Sequence, residues 1–503
     1  MHHRLTCTLT LGAALLASPW VSAQVAMSER EIRAVMQEAL DLAKQERWSE
    51  ACTRSRGIGR LEAMRTGDDA ERAEVLANAG YLHVSCERWE DAYWVLKAST
   101  TLLPDAWALY NLSIATVGTD RHRETVGVME RIAAIEPVLL DENAANRAWR
   151  TFGALEGDRP AQRRLFQAFL DAGHVPVAGD NARMWLTLAD MHLEAGRPDL
   201  ARMALHRVVN VRDRVRLHAD RRFDAIIDMA RPGIDERAAA QRNLDLLELQ
   251  AKFKPDDASV WVELGTAKLA IGDHEGVIAD VTRVLGKAGD PDRADGGTRS
   301  LKNGYYQAWL LYLRGVAHAR RGDIGSALSD LKRAVAMPMT EGDRSIHRRN
   351  LAQLQCYTGD AAQALDTMDG LLAPASERET VISIRAVSCA FAQERTGDRH
   401  RRLAEAVEAK FLDTMPLLVV EAHLWVGNVD RAERILVDQL ASTRFRGEAL
   451  LFVQRGMHTE GMPGRLVFDT HRDTLLARPT VKAAIDKVGR VQESEFYLGL
   501  ELE

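Results

Sequence analysis

Apolar residues recur along this chain at the spacing of helix faces, and a glycine or a charged turn interrupts them at intervals. Around Gly196 they stand at Trp185, Leu188, Ala189 and His192 on one side, and at Leu200, Ala204, Leu205 and Val208 on the other. Steps of three and four place each set on one face of an α-helix, so the pair predicts a helical hairpin. The hairpin repeats. A small residue, a glycine seven positions later and a small or apolar residue five beyond that occur at Ala189, Gly196 and Ala201; Gly265, Gly272 and Val277; Gly315, Gly322 and Ala327; Ala352, Gly359 and Ala364; Ala390, Gly397 and Arg402; and Val420, Gly427 and Ala432. Arg402 is the outlier. The glycine is followed by Asp273, Asp323, Asp360, Asp398 or Asn428 in five copies, the chemistry of one helix ending and the next being capped. Two earlier copies turn on Glu46-Arg47-Trp48 before Ala51 and Glu87-Arg88-Trp89 before Ala92, with Ala39 and Gly80 as their small residues. Short side chains there let antiparallel helices approach closely. One hairpin cannot bury its apolar face alone, so the pattern predicts a stack of neighbours with a capped end.

The repeat is interrupted at 138–181 and 209–257, and it fades over the last 60 residues. There Pro463-Gly464, Phe468-Asp469 and Arg478-Pro479 break the chain before an amphipathic helix carrying Val481, Ala484, Ile485 and Val488. Gly286 to Gly297 is the clearest internal loop. The expected organisation is therefore a leader at 1–23, N-terminal repeats at 24–137, irregular and central repeats at 138–285, a loop at 286–303, C-terminal repeats at 304–444 and a cap at 445–503.

Trp185-Leu188-Ala189 with Ala201, Leu205 and Val208, Trp261-Leu264-Gly265 with Val281 and Val284, and Leu76-Gly80-Ala92-Leu96 ending at Pro104 resemble the tetratricopeptide repeat (TPR) family. Leu109-Leu112 to Pro137, with Ser113 in the small slot, is a looser copy. The resemblance implies an all-α fold, an α-solenoid of hairpins in a right-handed superhelix, whose concave groove binds a protein or peptide and which has no catalysis or cofactor of its own. It maps the groove onto Tyr81, Trp107, Tyr110, Ile114, Trp309, Tyr312, Val316, Arg320, Arg349 and Tyr357. Aromatics and Arg are the residues of binding hot spots, although the same rings equally suit an interhelix core. The asparagines with which chaperone-docking members of the family clamp a carboxylate are replaced here by Tyr81, Ile114 and Val316.

Composition agrees with helices: 27% of residues are charged, 6% aromatic and only 14 are Pro. A net charge of −6, with arginines interleaved among acids, argues against nucleic acid as partner. His2, His3 and Arg4, an apolar stretch through Leu9, Leu11, Leu15 and Leu16, and the sequence Val21-Ser22-Ala23 spell a secretory signal peptide cleaved after Ala23. The expected location is periplasmic or secreted. No later stretch reaches the roughly 18 apolar residues of a membrane span.

Catalytic spellings occur in the wrong contexts. Ser329 and Lys332 have the spacing of a lysine-activated serine but fall on a repeat helix, and His471-Arg472-Asp473 begins a kinase-like loop without its later Asn. Asp290, Asp292 and Asp295 suggest a calcium loop, yet Leu301 stands where the bidentate Glu belongs. The histidines form no metal-ligand pattern. Arginines 212, 214, 216, 221 and 222 form a basic patch, a solvated face or an anion site, and Arg399, Arg401 and Arg402 form another. Of the four cysteines after the leader, Cys52 and Cys86 are placed at the same end of two antiparallel helices. Cys356 and Cys389 lie on successive parallel helices, offset by more than a turn. Three pairings are possible, with free buried thiols as the alternative. The expected function is a periplasmic adaptor that gathers envelope or polysaccharide-export proteins. The alternatives are an enzyme with a site in 209–257 or 445–503, and a structural spacer.

Overall fold

The computed structural model describes residues 29–55, 68–174, 183–208, 211–227, 236–288, 304–371, 373–374, 376–393, 397–457 and 462–497. The expected leader and most of the 286–303 loop, with its three aspartates, fall outside these. The described residues are built from α-helices, each packed against its neighbours in sequence, as in an all-α solenoid. The chain divides into two compact units, one through residue 140 with 150–156, the other 141–149 with everything from 157 onward.

In the first unit, α1 (Glu29–Lys44) pairs with α2 (Trp48–Ser55), α3 (Asp69–Ser85) with α4 (Trp89–Leu102), and α5 (Ala106–Gly118) with α6 (His122–Ile135). The small slots are tight. A Cβ at Gly80 would stand 2.3 Å from Leu96 of the paired helix, and Ala39, Ala51 and Ala92 are wholly buried. The turn at each hairpin needs one residue in the left-handed region. Glu46, Glu87 and Asp120 take it here with φ of 60°, 56° and 56°, whereas Gly272, Gly322 and Gly427 take it in the later repeats. L-residues pay about 1–2 kcal/mol there. Cys52 of α2 is bonded to Cys86, which caps α3, across Cα atoms 5.5 Å apart.

α7 (Glu142–Ala154) is divided between the units. The second continues through α8 (Arg159–Asp171), α9 (Arg183–Glu194), α10 (Pro198–Leu205), α11 (Val211–Ala219), α12 (Glu236–Phe253), α13 (Ala258–Ala270) and α14 (His274–Ala288). Then follow α15 (Gly304–Arg320), α16 (Ile324–Ala336), α17 (Glu341–Tyr357), α18 (Ala361–Met368), α19 (Glu377–Gln393), α20 (Gly397–Phe411), α21 (Pro416–Trp425) and α22 (Val429–Ala441). One continuous apolar core runs from Ala219 to Ile485. Four of the turn side chains act as helix caps: Asp273, Asp323, Asp360 and Asn428 accept hydrogen bonds from the backbone N–H three residues on, whereas Asp398 lies within the first turn of its helix. In the outlying copy Arg402 is exposed and Ala404 takes the buried place. Cys356 and Cys389 are also bonded, across 6.2 Å between Cα atoms.

Parts of the interrupted stretch 209–257 and of the last 60 residues come together. α23 (Arg446–Phe452), α24 (Leu466–Ala477) and α25 (Pro479–Val488) form the cap, and β1 (Arg455–Met457) pairs in parallel with β2 (Glu493–Tyr497), strand that the helical pattern did not anticipate. α11 packs on α23, and Glu448 receives Arg183, Arg216 and Arg212 at 2.5, 3.3 and 3.5 Å. Arg490 donates its backbone N–H to Ala219 and its guanidinium to Asp224. A Cβ at 489 would stand 2.4 Å from the Ala219 carbonyl oxygen, so glycine is required there, and one at 447 would displace the Arg216 guanidinium. Burial alone would raise the Glu448 carboxyl, but the three arginines outweigh it and hold it at about 2.

Candidate partner-binding cleft

In the first unit the inner sides of α1, α3 and α5 enclose an open cleft of about 410 Å³ lined by Leu40, Ala43, Lys44, Asn78, Tyr81 and Trp107. Local chemistry sets each ring. Gly80 faces α4, so its neighbour Tyr81, about 100° further round the helix, turns away from α4 to line the cleft. Trp107 stands in the first turn of α5, whose start is fixed by the Asp105 carboxylate accepting from the Ala108 N–H at 2.7 Å. Trp48, which opens α2, completes a row: ring centroids lie 6.3 Å apart from Trp48 to Tyr81 and 5.0 Å from Tyr81 to Trp107. Both tryptophans remain 39% exposed. Tyr110 is half-buried one turn beyond Trp107. The wall is thus apolar and aromatic, with one ammonium, on Lys44, and one amide, on Asn78. Leu40, Ala43, Lys44 and Asn78 are absent from the groove read in the sequence, although Leu40 follows its small slot as Tyr81 follows Gly80. Trp48 was hidden as a turn residue.

The C-terminal members of the expected groove are placed differently. Trp309 is half-buried, but Tyr312, Arg320, Arg349 and Tyr357 belong to the packed interior, and Val316 with them. Arg320 donates to the Leu269 carbonyl at 2.9 Å, tying α15 to α13. Arg349, 1% exposed, pairs with Glu379 at 3.1 Å and donates to Ser345 and Ser383, joining α17 to α19. Tyr357 stacks on Trp425 at 6.3 Å, with the Arg465 guanidinium 5.3 Å from its ring centroid. At Tyr357 the cover is a segment of the chain itself. Residues 462–468 fold back over this face, Gly464 against the Cys356 carbonyl and Phe468 5.0 Å from Trp425, and cover the end that the repeat pattern leaves open. These residues join helices and are withdrawn from the partner site.

The remaining chemical candidates are structural in their contacts. Ser329 and Lys332 lie on α16, and His471 and Arg472 lie on α24, where they bond the carbonyls of Leu424, Phe452 and Gln454. In the basic patch Arg212 and Arg216 hold Glu448, Arg214 and Arg221 hold the Val208 and Gly489 carbonyls, and Arg222 holds Asp220 and Asp190. Its cations are therefore engaged within the chain. Arg401 pairs with Asp398 and Arg402 donates to the Asp398 carbonyl. Among the described residues no group of three His, Cys, Asp or Glu side chains is placed to hold a metal ion, and no helix is long and apolar enough to cross a membrane.

No family model matches the chain, and no curated protein matches it. Among solved structures, one match is a circular tandem repeat protein with novel repeat topology and enhanced subunit contact surfaces. It is 13% identical, with 91% of this chain and 90% of that chain covered, at a TM-score of 0.15. A score that low carries no argument, so the helical-repeat fold rests on the packing described above.

Proposed function

We propose that this chain is an exported protein of the tetratricopeptide kind that acts as a non-catalytic adaptor, gathering envelope or polysaccharide-export proteins by holding an extended segment of a partner in the cleft of its N-terminal repeats. The observation that supports this reading is the row Trp48–Tyr81–Trp107 over a cleft of about 410 Å³. Exposed rings that already contact one another present large area while losing little side-chain freedom on binding, as hot spots do. Lys44 and Asn78 add a charge and an amide that can fix the direction of a bound backbone. Two disulfides accord with an oxidising compartment. Affinity capture from an envelope extract with residues 24–503 tests it. A reproducible set of proteins should be retained and be lost with Tyr81→Ala plus Trp107→Ala, while the helical spectrum is unchanged. Retention of the same set by the double variant would refute the cleft as the site.

A further inference from the structure

α12 has two apolar faces. Leu244, Leu247 and Ala251 are buried, whereas Leu246, Leu249 and Phe253 on the opposite side are 39%, 50% and 79% exposed. With Arg242 they are spaced four, three and four apart, the seam of a coiled coil. Asp245 and Lys252 border the seam on one side, Asn243 and Gln250 on the other.

We infer that this face pairs with the same face of a second copy of the chain, the two α12 helices running antiparallel about a two-fold axis. The sequence is self-complementary in that arrangement alone. Leu246 meets Leu249 of the second copy and Leu249 meets its Leu246. Arg242 lies over Phe253 of the second copy at both ends, a cation on an aromatic face. Bordering residues of the same type face each other across an antiparallel seam, so Asp245 meets Lys252 of the second copy twice, and Asn243 meets Gln250. A parallel pairing would instead set Arg242 against Arg242 in the seam, a like-charge contact. Among the described residues neither Arg242 nor Lys252 has an ion-pair partner, and Asp245 accepts the Gln241 amide at 2.9 Å. The mixed border argues against a lipid surface, which would select cations throughout. The seam is two to three turns long, well short of the roughly 800 Å² per partner of a stable interface, so the dimer is weak and depends on concentration.

Sedimentation equilibrium of residues 24–503 should show reversible dimerisation with a dissociation constant roughly in the ten to hundred micromolar range. Leu249→Glu should abolish it. Asp245→Lys alone and Lys252→Asp alone should each weaken it by about tenfold or more, and the two together should restore it, because the border pairs are re-formed with reversed sign. The substituted side chains are exposed, so all variants keep the parent circular dichroism; the restoring double variant guards against misreading a folding defect. A chain monomeric at several hundred micromolar, dimerisation that survives Leu249→Glu, or a double variant as weak as either single one would each overturn the inference.

Discussion

At the scale of single residues, the glycine-acid turns were legible because both demands are local: a left-handed backbone at the turn and an oxygen acceptor for the next helix. Gly322 with Asp323 satisfies both. The burial of Arg349 and Tyr357 was not legible, because it depends on Glu379 and on Arg465, which come from elsewhere in the chain. The buried histidines are of the same kind. His83 and His347 are enclosed, with no hydrogen bond to either ring nitrogen, and burial, followed by the charges of Arg88 and Arg378 respectively, lowers each to about 4. Both are neutral in the fold at pH 7. As pH falls from about 6.5 toward 4 the unfolded chain takes up protons that the folded chain refuses, so stability is lost across that window, by up to about 3 kcal/mol per histidine. Urea midpoints at pH 7.5 and 5.0 should differ, and His347→Gln should flatten the difference. A midpoint independent of pH between 7.5 and 5.0 would show that these rings are hydrated in the fold.

Among elements, the helices follow from three-four periodicity, and the hairpins from tight slots such as Gly80 on Leu96. The interrupted stretch is helical too over its described part, 138–174, with Gly157 and Gly173 in the left-handed region beside α8. Its pattern was obscured because the slots carry no recurring small residue. The β1–β2 pair was beyond reach: its strands are short, and the residues that set their register are separated in sequence by α24 and α25. The junction of α11 with α23 is likewise specified by Glu448 and three distant arginines. Glu448→Gln should lower the thermal midpoint by the equivalent of about 1–2 kcal/mol at low salt, a value discounted because the carboxylate is a third exposed. The held-down carboxyl stabilises fully above about pH 4.5 and its contribution is lost as pH falls through about 2, so parent and variant should converge in acid. Equal midpoints at neutral pH and low salt would mean the cluster contributes nothing.

For the whole molecule, a stack in which helices touch mainly their sequence neighbours confines a perturbation to nearby repeats. Removing the Cys52–Cys86 bond, which on the chain-entropy model is worth roughly 4 kcal/mol, should accelerate amide hydrogen exchange in α1 to α4. Exchange in α15 to α22, which hold their own bond at Cys356–Cys389, should not change. Comparable acceleration in both regions of a Cys52→Ser, Cys86→Ser variant would contradict this one-dimensional cooperativity. One departure from neighbour-only contact among the described residues is the return of Gly447, Glu448 and Arg490 onto α11 and Asp224, made across 232 residues at Arg216–Glu448. That distance is also a waiting time. At about 5–20 residues made per second, α11 exists for roughly 10–50 s before its partner does. During this interval Val211 and Val215, destined for a cluster with Leu451 and Phe496, lack those two partners. A chain stopped before α23 never ends that interval, so the full burial of Val211 and Val215 waits on residues 446–496.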